Sequence, residues 1–297
     1  MDNRSDIRDF LASRRARITP EQAGLLPGGG RRRVPGLRRE EVAVLAGVST
    51  GWYERLEKGH IAGVSEDVLE AVAHALQLDD AERLHLYNLA RAAKPTRAPQ
   101  RRDRAQVPPR VQWMLDSMTG SAAFVANGRL DILATNTLGR ALHSPLFDDP
   151  GRPANFARFQ FLDARARDYY QDWERAANTT VALLRTEAGR DPADRDLREL
   201  VGELSTVSED FRVRWAAHNV RIHHAGIKQF RHPAVGDLEL VYHTVDLAAP
   251  GETRLALTVY TAEPGSPSED GLKLLASWAA THAAPIPDPA PSSADNA

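Results

Sequence analysis

There is no cysteine in this chain of 297 residues. That excludes disulfides, cysteine zinc fingers, iron–sulfur ligation and thiol redox sensing, each of which needs the sulfur atom itself. No apolar run approaches the roughly 18 residues that a membrane span requires. The opening residues MDNRSDIRDFLASRRARI lack the apolar core and small-residue cleavage site of a secretory signal, so a cytoplasmic location and no membrane partner are expected. There is no Walker loop, no G-x-S-x-G, no H-E-x-x-H and no G-x-G-x-x-G after a strand. Gly28 to Gly30 lack the following Lys-Ser/Thr and read as a loop. No nucleophile and base announce themselves, so neither an enzyme nor a cofactor is expected. No repeat of fixed period is visible, which argues against a solenoid or propeller.

What is present is ordinary globular protein, 42% hydrophobic and 26% charged, long enough for two domains and a linker. The net charge of -2 conceals an asymmetry: residues 1–110 hold 20 Lys and Arg against 15 Asp and Glu, leaving 18 against 25 for the remainder. Positive potential, which attracts phosphate, is confined to the first third. The stretch AAKPTRAPQRRDRAQVPP combines four prolines with no apolar periodicity, so residues 93–109 are expected to be a basic linker. It separates a domain over 1–92 from a second over 110–282. Residues 283–297, rich in Pro, Ala and Ser with nothing to bury, are expected to be a disordered tail.

The first domain reads as about five helices. Ile7, Phe10 and Leu11 share one face, Val68, Leu69, Val72 and Leu76 follow a Ser65 cap, and Asp79 with Glu82 makes a capping box. The second domain is mixed. Asn127-Gly128 between two β-rich runs predicts a type I′ hairpin. Helical stripes of Tyr169, Trp173, Ala177, Val181 and Leu184, and of Leu197, Leu200, Val201 and Leu204, precede a short helix with Phe211 and Trp215. Strict alternation over Leu238 to Val245 then predicts a half-buried strand. The expected result is an antiparallel sheet flanked by helices.

The most informative segment is LRREEVAVLAGVSTGWYERLEKG, residues 37–59. Leu37, Val42, Leu45, Val48, Tyr53 and Leu56 are spaced to pack two short helices together. Ala43 permits close helix approach, Gly47 tolerates positive φ in the turn, and Ser49 can cap the second helix. With the apolar side chains turned inward, Thr50, Gly51, Trp52, Glu54 and Arg55 are left at its start and outer face, placed to reach base edges and phosphates. Arg31, Arg32 and Arg33 are assigned phosphate contacts beside it. An alternative reading makes the segment a plain helical hairpin with Arg55 and Glu57 on a solvated face.

These residues resemble the XRE-type, lambda-repressor-like helix-turn-helix, and RRRVPGLRREEVAVLAGVS with WYERLEKG is similar to its actinobacterial subgroup. The resemblance implies sequence-specific DNA binding and transcription regulation. It usually carries a Thr and a DNA-contacting Gln where this chain has Arg38 and Arg39, so those arginines are assigned to phosphate or guanine. Because one such module offers little surface, a homodimer on half-sites about 34 Å apart is expected.

FLDARARDYYQDWE, LVGELSTVSEDFRVRWAAHNV, KQFRHPAVGDLELVY and VYTAEPGSPSEDGLKLLASW together resemble the MmyB-like transcription-regulator ligand-binding domain. The resemblance implies a PAS-like fold, an antiparallel sheet of about five strands around a pocket, and a small apolar, fatty-acid-like ligand. Phe124, Trp173, Trp215, Phe230, Tyr242 and Tyr260 are the candidate pocket side chains, with core packing as their alternative. His218 and His232 are the candidate anchors for a ligand head group. A metal reading of His218, His223, His224 and His232 lacks carboxylates at matching spacing. Two alternatives stay open: a second domain that only dimerises or binds protein, and a cofactor-bearing domain with redox or hydrolytic chemistry.

Overall fold

The computed structural model describes residues 3–25, 36–93, 107–149, 151–220, 225–247 and 254–282. Arg31, Arg32 and Arg33, most of the predicted linker and the predicted tail lie outside them.

Five helices come first: α1 (Asn3–Arg17), α2 (Arg39–Leu45), α3 (Thr50–Glu57), α4 (Glu66–Ala75) and α5 (Asp80–Ala92). Their apolar stripes meet in one core built from Ile7, Phe10, Leu37, Val42, Tyr53, Leu56, Leu69 and Leu86. The box at the start of α5 forms as its sequence requires, Asp79 Oδ1 accepting the Glu82 N–H at 2.8 Å and Glu82 Oε2 accepting the Asp79 N–H at 3.2 Å.

The rest begins with α6 (Pro109–Ser117), β1 (Ala122–Asn127) and β2 (Ile132–Thr135), then α7 (Thr137–Leu142), α8 (Phe156–Leu162), α9 (Ala166–Tyr169), α10 (Trp173–Arg190), α11 (Arg195–Val207) and α12 (Glu209–Ala216). It ends with β3 (Ala225–His232), β4 (Gly236–Leu247), β5 (Leu255–Thr261) and α13 (Pro267–His282). The five strands form one antiparallel sheet in the order β2-β1-β5-β4-β3. One face is covered by α6 through Leu115 against Ala123, Val125, Leu255 and Leu257. The other carries an aromatic core closed by α7 and by Leu272, Leu275 and Ala279 of α13. A third cluster holds α10, α11 and α12 together through Leu184, Leu197, Leu204 and Phe211.

The hairpin between β1 and β2 differs from the two-residue turn predicted at Asn127-Gly128. The Asn127 N–H donates to the Asp131 carbonyl at 3.1 Å, and the residue with positive φ is Leu130, at +66°. Asn127 Oδ1 accepts the backbone N–H of both Arg129 and Asp131 at 3.0 Å. The longer loop is therefore set by the Asn127 side chain. Gly128 serves packing instead, since a Cβ there would sit 2.2 Å from the Glu187 carboxyl carbon.

Candidate nucleic-acid interface and the aromatic core behind it

The turn between α2 and α3 forms as the sequence demands. Gly47 adopts φ +66°, and the Val48 N–H returns to the Ala43 carbonyl at 2.9 Å, closing α2 with a left-handed residue. Ser49 Oγ accepts the Trp52 N–H at 3.2 Å and so caps α3. Val42, Ala43, Tyr53 and Leu56 are buried. That orientation leaves Ser49, Thr50, Gly51 and Arg55 exposed and Trp52 and Glu54 half-buried at the start and outer side of α3. The Arg55 guanidinium has no hydrogen bond or ion pair within the described residues, so it is available to a partner. Beside it, Trp52, His60, Gly63, Ser65 and Val68 line an open cleft of about 380 Å³ between α3 and α4.

The two arginines at the head of α2 have different surroundings. Arg38 donates its backbone N–H to Glu41 Oε2 at 2.6 Å, while its side chain lies 3.3 Å from Glu40. Arg39 is turned toward the protein: its Nε and Nη2 reach Glu57 Oε1 at 3.0 and 2.8 Å. Arg15 of α1 takes the same carboxylate, with Nε on Oε2 at 2.9 Å and Nη2 on Oε1 at 3.0 Å, and adds Nη1 on the Leu37 carbonyl at 2.9 Å. Glu57 is only 1% exposed. The solvated-face reading of Glu57 is thereby corrected: it is a buried clamp that joins the end of α3 to α1 and α2. Burial pushes its carboxyl upward, and the Arg15 and Arg39 hydrogen bonds overcome this and hold it below the usual range.

Behind this unit, the structure brings Phe124, Trp173, Phe230, Tyr242 and Tyr260 into one cluster. At its centre lies His143, the residue after α7, which the sequence did not single out. Its ring stands 5.4 Å from Phe124, 5.0 Å from Phe156, 5.9 Å from Phe230 and 5.6 Å from Tyr260. Tyr169 Oη donates to the Leu142 carbonyl at 2.7 Å, so at 3.1 Å it accepts from His143 Nδ1–H. His143 Nε2 is then a bare acceptor, fully buried and without a partner within the described residues. Burial, helped by Lys228 and His232, keeps the ring neutral by pushing its pKa well below the ordinary value.

The two histidines chosen from the sequence are placed elsewhere. His232 spends both nitrogens on backbone, Nε2–H on the Ala141 carbonyl at 3.0 Å and Nδ1 on the Ala234 N–H at 3.2 Å. It braces α7 against the sheet and has nothing left for a head group. His218 lies beyond α12, half-buried, outside the aromatic cluster. Trp215 stacks on Phe211 at 5.5 Å, on the margin of the α10–α12 cluster. His223 and His224 lie outside the described residues. Among the described residues no helix is long and apolar enough to cross a membrane.

A helix-turn-helix domain family model matches residues 7–86, which take in most of α1, all of α2 to α4 and the Gly47 turn. A second, the MmyB-like transcription regulator ligand binding domain, matches residues 107–275, spanning α6, the whole sheet and the aromatic core. Comparison with curated proteins finds no match. With a helix-turn-helix in front and more than half of its length in the second match, the chain belongs to the MmyB-like family and is a DNA-binding transcription regulator.

Proposed function

We propose that the protein is a sequence-specific regulator, a homodimer on an inverted repeat, whose sheet-bearing domain senses a small, largely apolar molecule. The observation that carries the DNA half is the unpartnered Arg55 guanidinium on the outer face of α3, beside Thr50 and Gly51. Arg38 and the run Arg31, Arg32 and Arg33 supply phosphate contacts. Arg39 contributes through Glu57 rather than through guanine. Against a duplex selected in vitro by the wild-type chain, Arg55→Ala is expected to cost about 1–3 kcal/mol while leaving affinity for random duplex nearly unchanged. Equal losses on both, measured by fluorescence anisotropy at one fixed salt concentration, would reassign Arg55 to phosphate.

The ligand half rests on His143 Nε2, an orphaned acceptor enclosed by aromatic rings. A neutral ring with Nδ1–H committed to Tyr169 can only accept at Nε2, so the head group it suits is a hydrogen-bond donor, an alcohol or an un-ionised acid, on an apolar body. Organic extraction of purified protein followed by mass spectrometry is expected to yield such a molecule. His143→Leu is expected to retain about tenfold less of it, the loss of one buried hydrogen bond. A second reading, that this domain only dimerises or binds protein, is favoured by the close ring packing itself. Extracts of wild type and variant that are equally empty would select it.

A further inference from the structure

The chain leaving α12 does not stay with the sheet-bearing domain. His218 turns it with φ +52°, and Val220, 7% exposed, enters the apolar core of the helix-turn-helix domain beside Ile7, Phe10 and Leu86. Two buried arginines grip this crossing from opposite sides. Arg14 of α1, 2% exposed, donates Nη2 to the His218 carbonyl and holds Nε 2.8 Å from Glu82. Arg185 of α10, 3% exposed, donates Nη2 to the Trp215 carbonyl, faces His218 Nδ1 with Nη1 at 2.9 Å, and lies 4.0 Å over the Trp215 ring. Arg17 adds a bond to Asn219 Oδ1. Alongside, α10 meets α5 so closely that a Cβ on Gly189 would lie 2.4 Å from the His85 ring.

We propose that residues 215–220, held by Arg14 and Arg185, are the joint through which the state of the sheet-bearing domain sets the position of the DNA-reading helix. On one side of the joint a chain of rings runs inward: Trp215 to Phe211 at 5.5 Å, Phe211 to Phe161 at 5.1 Å, and Phe161 to Trp173, in the aromatic core, at 6.1 Å. On the other side, Arg15 is the neighbour of Arg14 in α1 and holds Glu57 at the end of α3. Helix α1 thus touches the joint and the reading helix with consecutive residues. A partial shift would leave two desolvated guanidinium groups without their carbonyls and Val220 in water, which penalises intermediate positions. The joint therefore has a docked and an undocked arrangement rather than a continuum, the property a transmitting element needs.

The test uses the full chain with no added ligand, so it stands apart from the question of what the core binds. Val220→Ala and Arg185→Met are compared with wild type by hydrogen exchange and by anisotropy on the selected duplex. If the joint transmits, amides of α1 and α3 exchange about tenfold faster, those of β1 and β5 are unchanged, and affinity shifts by about fivefold or more. Trp215→Leu, which leaves the helix-turn-helix core intact, is expected to move α1 exchange in the same direction. Unchanged exchange in α1 and α3 with unchanged affinity would overturn the joint, and so would a uniform acceleration throughout both domains. Failure here with a molecule still recovered by extraction would leave sensing in place and move its route elsewhere.

Discussion

Glu57→Gln is expected to lower the free energy of unfolding by about 3 kcal/mol at neutral pH, the range seen when one member of a buried ion pair is removed. The carboxylate receives four N–H donors, two from Arg15 and two from Arg39, three of them on Oε1. A glutamine keeps one acceptor oxygen and presents an NH2 group to a second set of donors, so a buried donor faces a donor. Most of the loss falls on Arg15, whose side chain is 15% exposed, because Arg39 at 48% retains water as an alternative partner. The folded carboxyl lies below its ordinary value of 4.5. Its stabilisation is therefore fully present above that value and disappears as pH falls through the lower folded one. Denaturant titrations from pH 7 to pH 3 are expected to show the wild type losing its advantage over the variant in that acid window. A variant within about 1 kcal/mol of wild type at pH 7 would remove the clamp from the account. Because the clamp fixes the end of α3, specific DNA affinity is expected to fall further than Arg55→Ala alone reduces it.

The clamp also shows where sequence reading stops. The helix-turn-helix was legible because its signals are local: Ala43 at the crossing, Gly47 in the turn, Ser49 at the cap, all within seven residues. The strand over Leu238 to Val245 was legible for the same reason, its buried and exposed residues alternating one by one. Glu57 was not, because its partner Arg15 lies 42 positions away and a charged residue in a helix defaults to solvent. His143 was missed because α7 and α8 are six and seven residues long, too short for a periodic stripe to stand out. His218 and Trp215 were placed near a pocket because their types suit one. The bend at His218, which takes the chain from Trp215 on to Val220 in the other domain, is held by Arg14, some 200 positions earlier.

Gly139→Ala is the second substitution with a large expected effect, and it reaches His143 without touching it. A Cβ on Gly139 would lie 2.2 Å from the Ala123 carbonyl oxygen and 2.9 Å from the Ala123 carbon and nitrogen, all backbone of the central part of the sheet. That oxygen already accepts the Asn136 N–H at 3.0 Å, and Asn136 in turn receives the N–H of Ala123 and Gly139 on Oδ1 at 3.0 and 2.7 Å. Neither neighbour can give way by rotating a side chain, so α7 must lift from β1. Its last turn carries the carbonyls that receive His232 and Tyr169, and His143 follows directly. The expected cost is about 3 kcal/mol, the upper end for an overpacked core, because backbone rather than a side chain is displaced. Gly202→Ala supplies the contrast: that glycine is exposed in the interior of α11 with nothing near its absent Cβ, and there alanine is expected to stabilise by up to about 1 kcal/mol. Opposite signs in parallel thermal and denaturant melts would separate crowding from helix propensity. A Gly139→Ala chain as stable as wild type, with His143-dependent ligand retention intact, would show that α7 is free to move and that the enclosure around His143 is not set by its contact with β1.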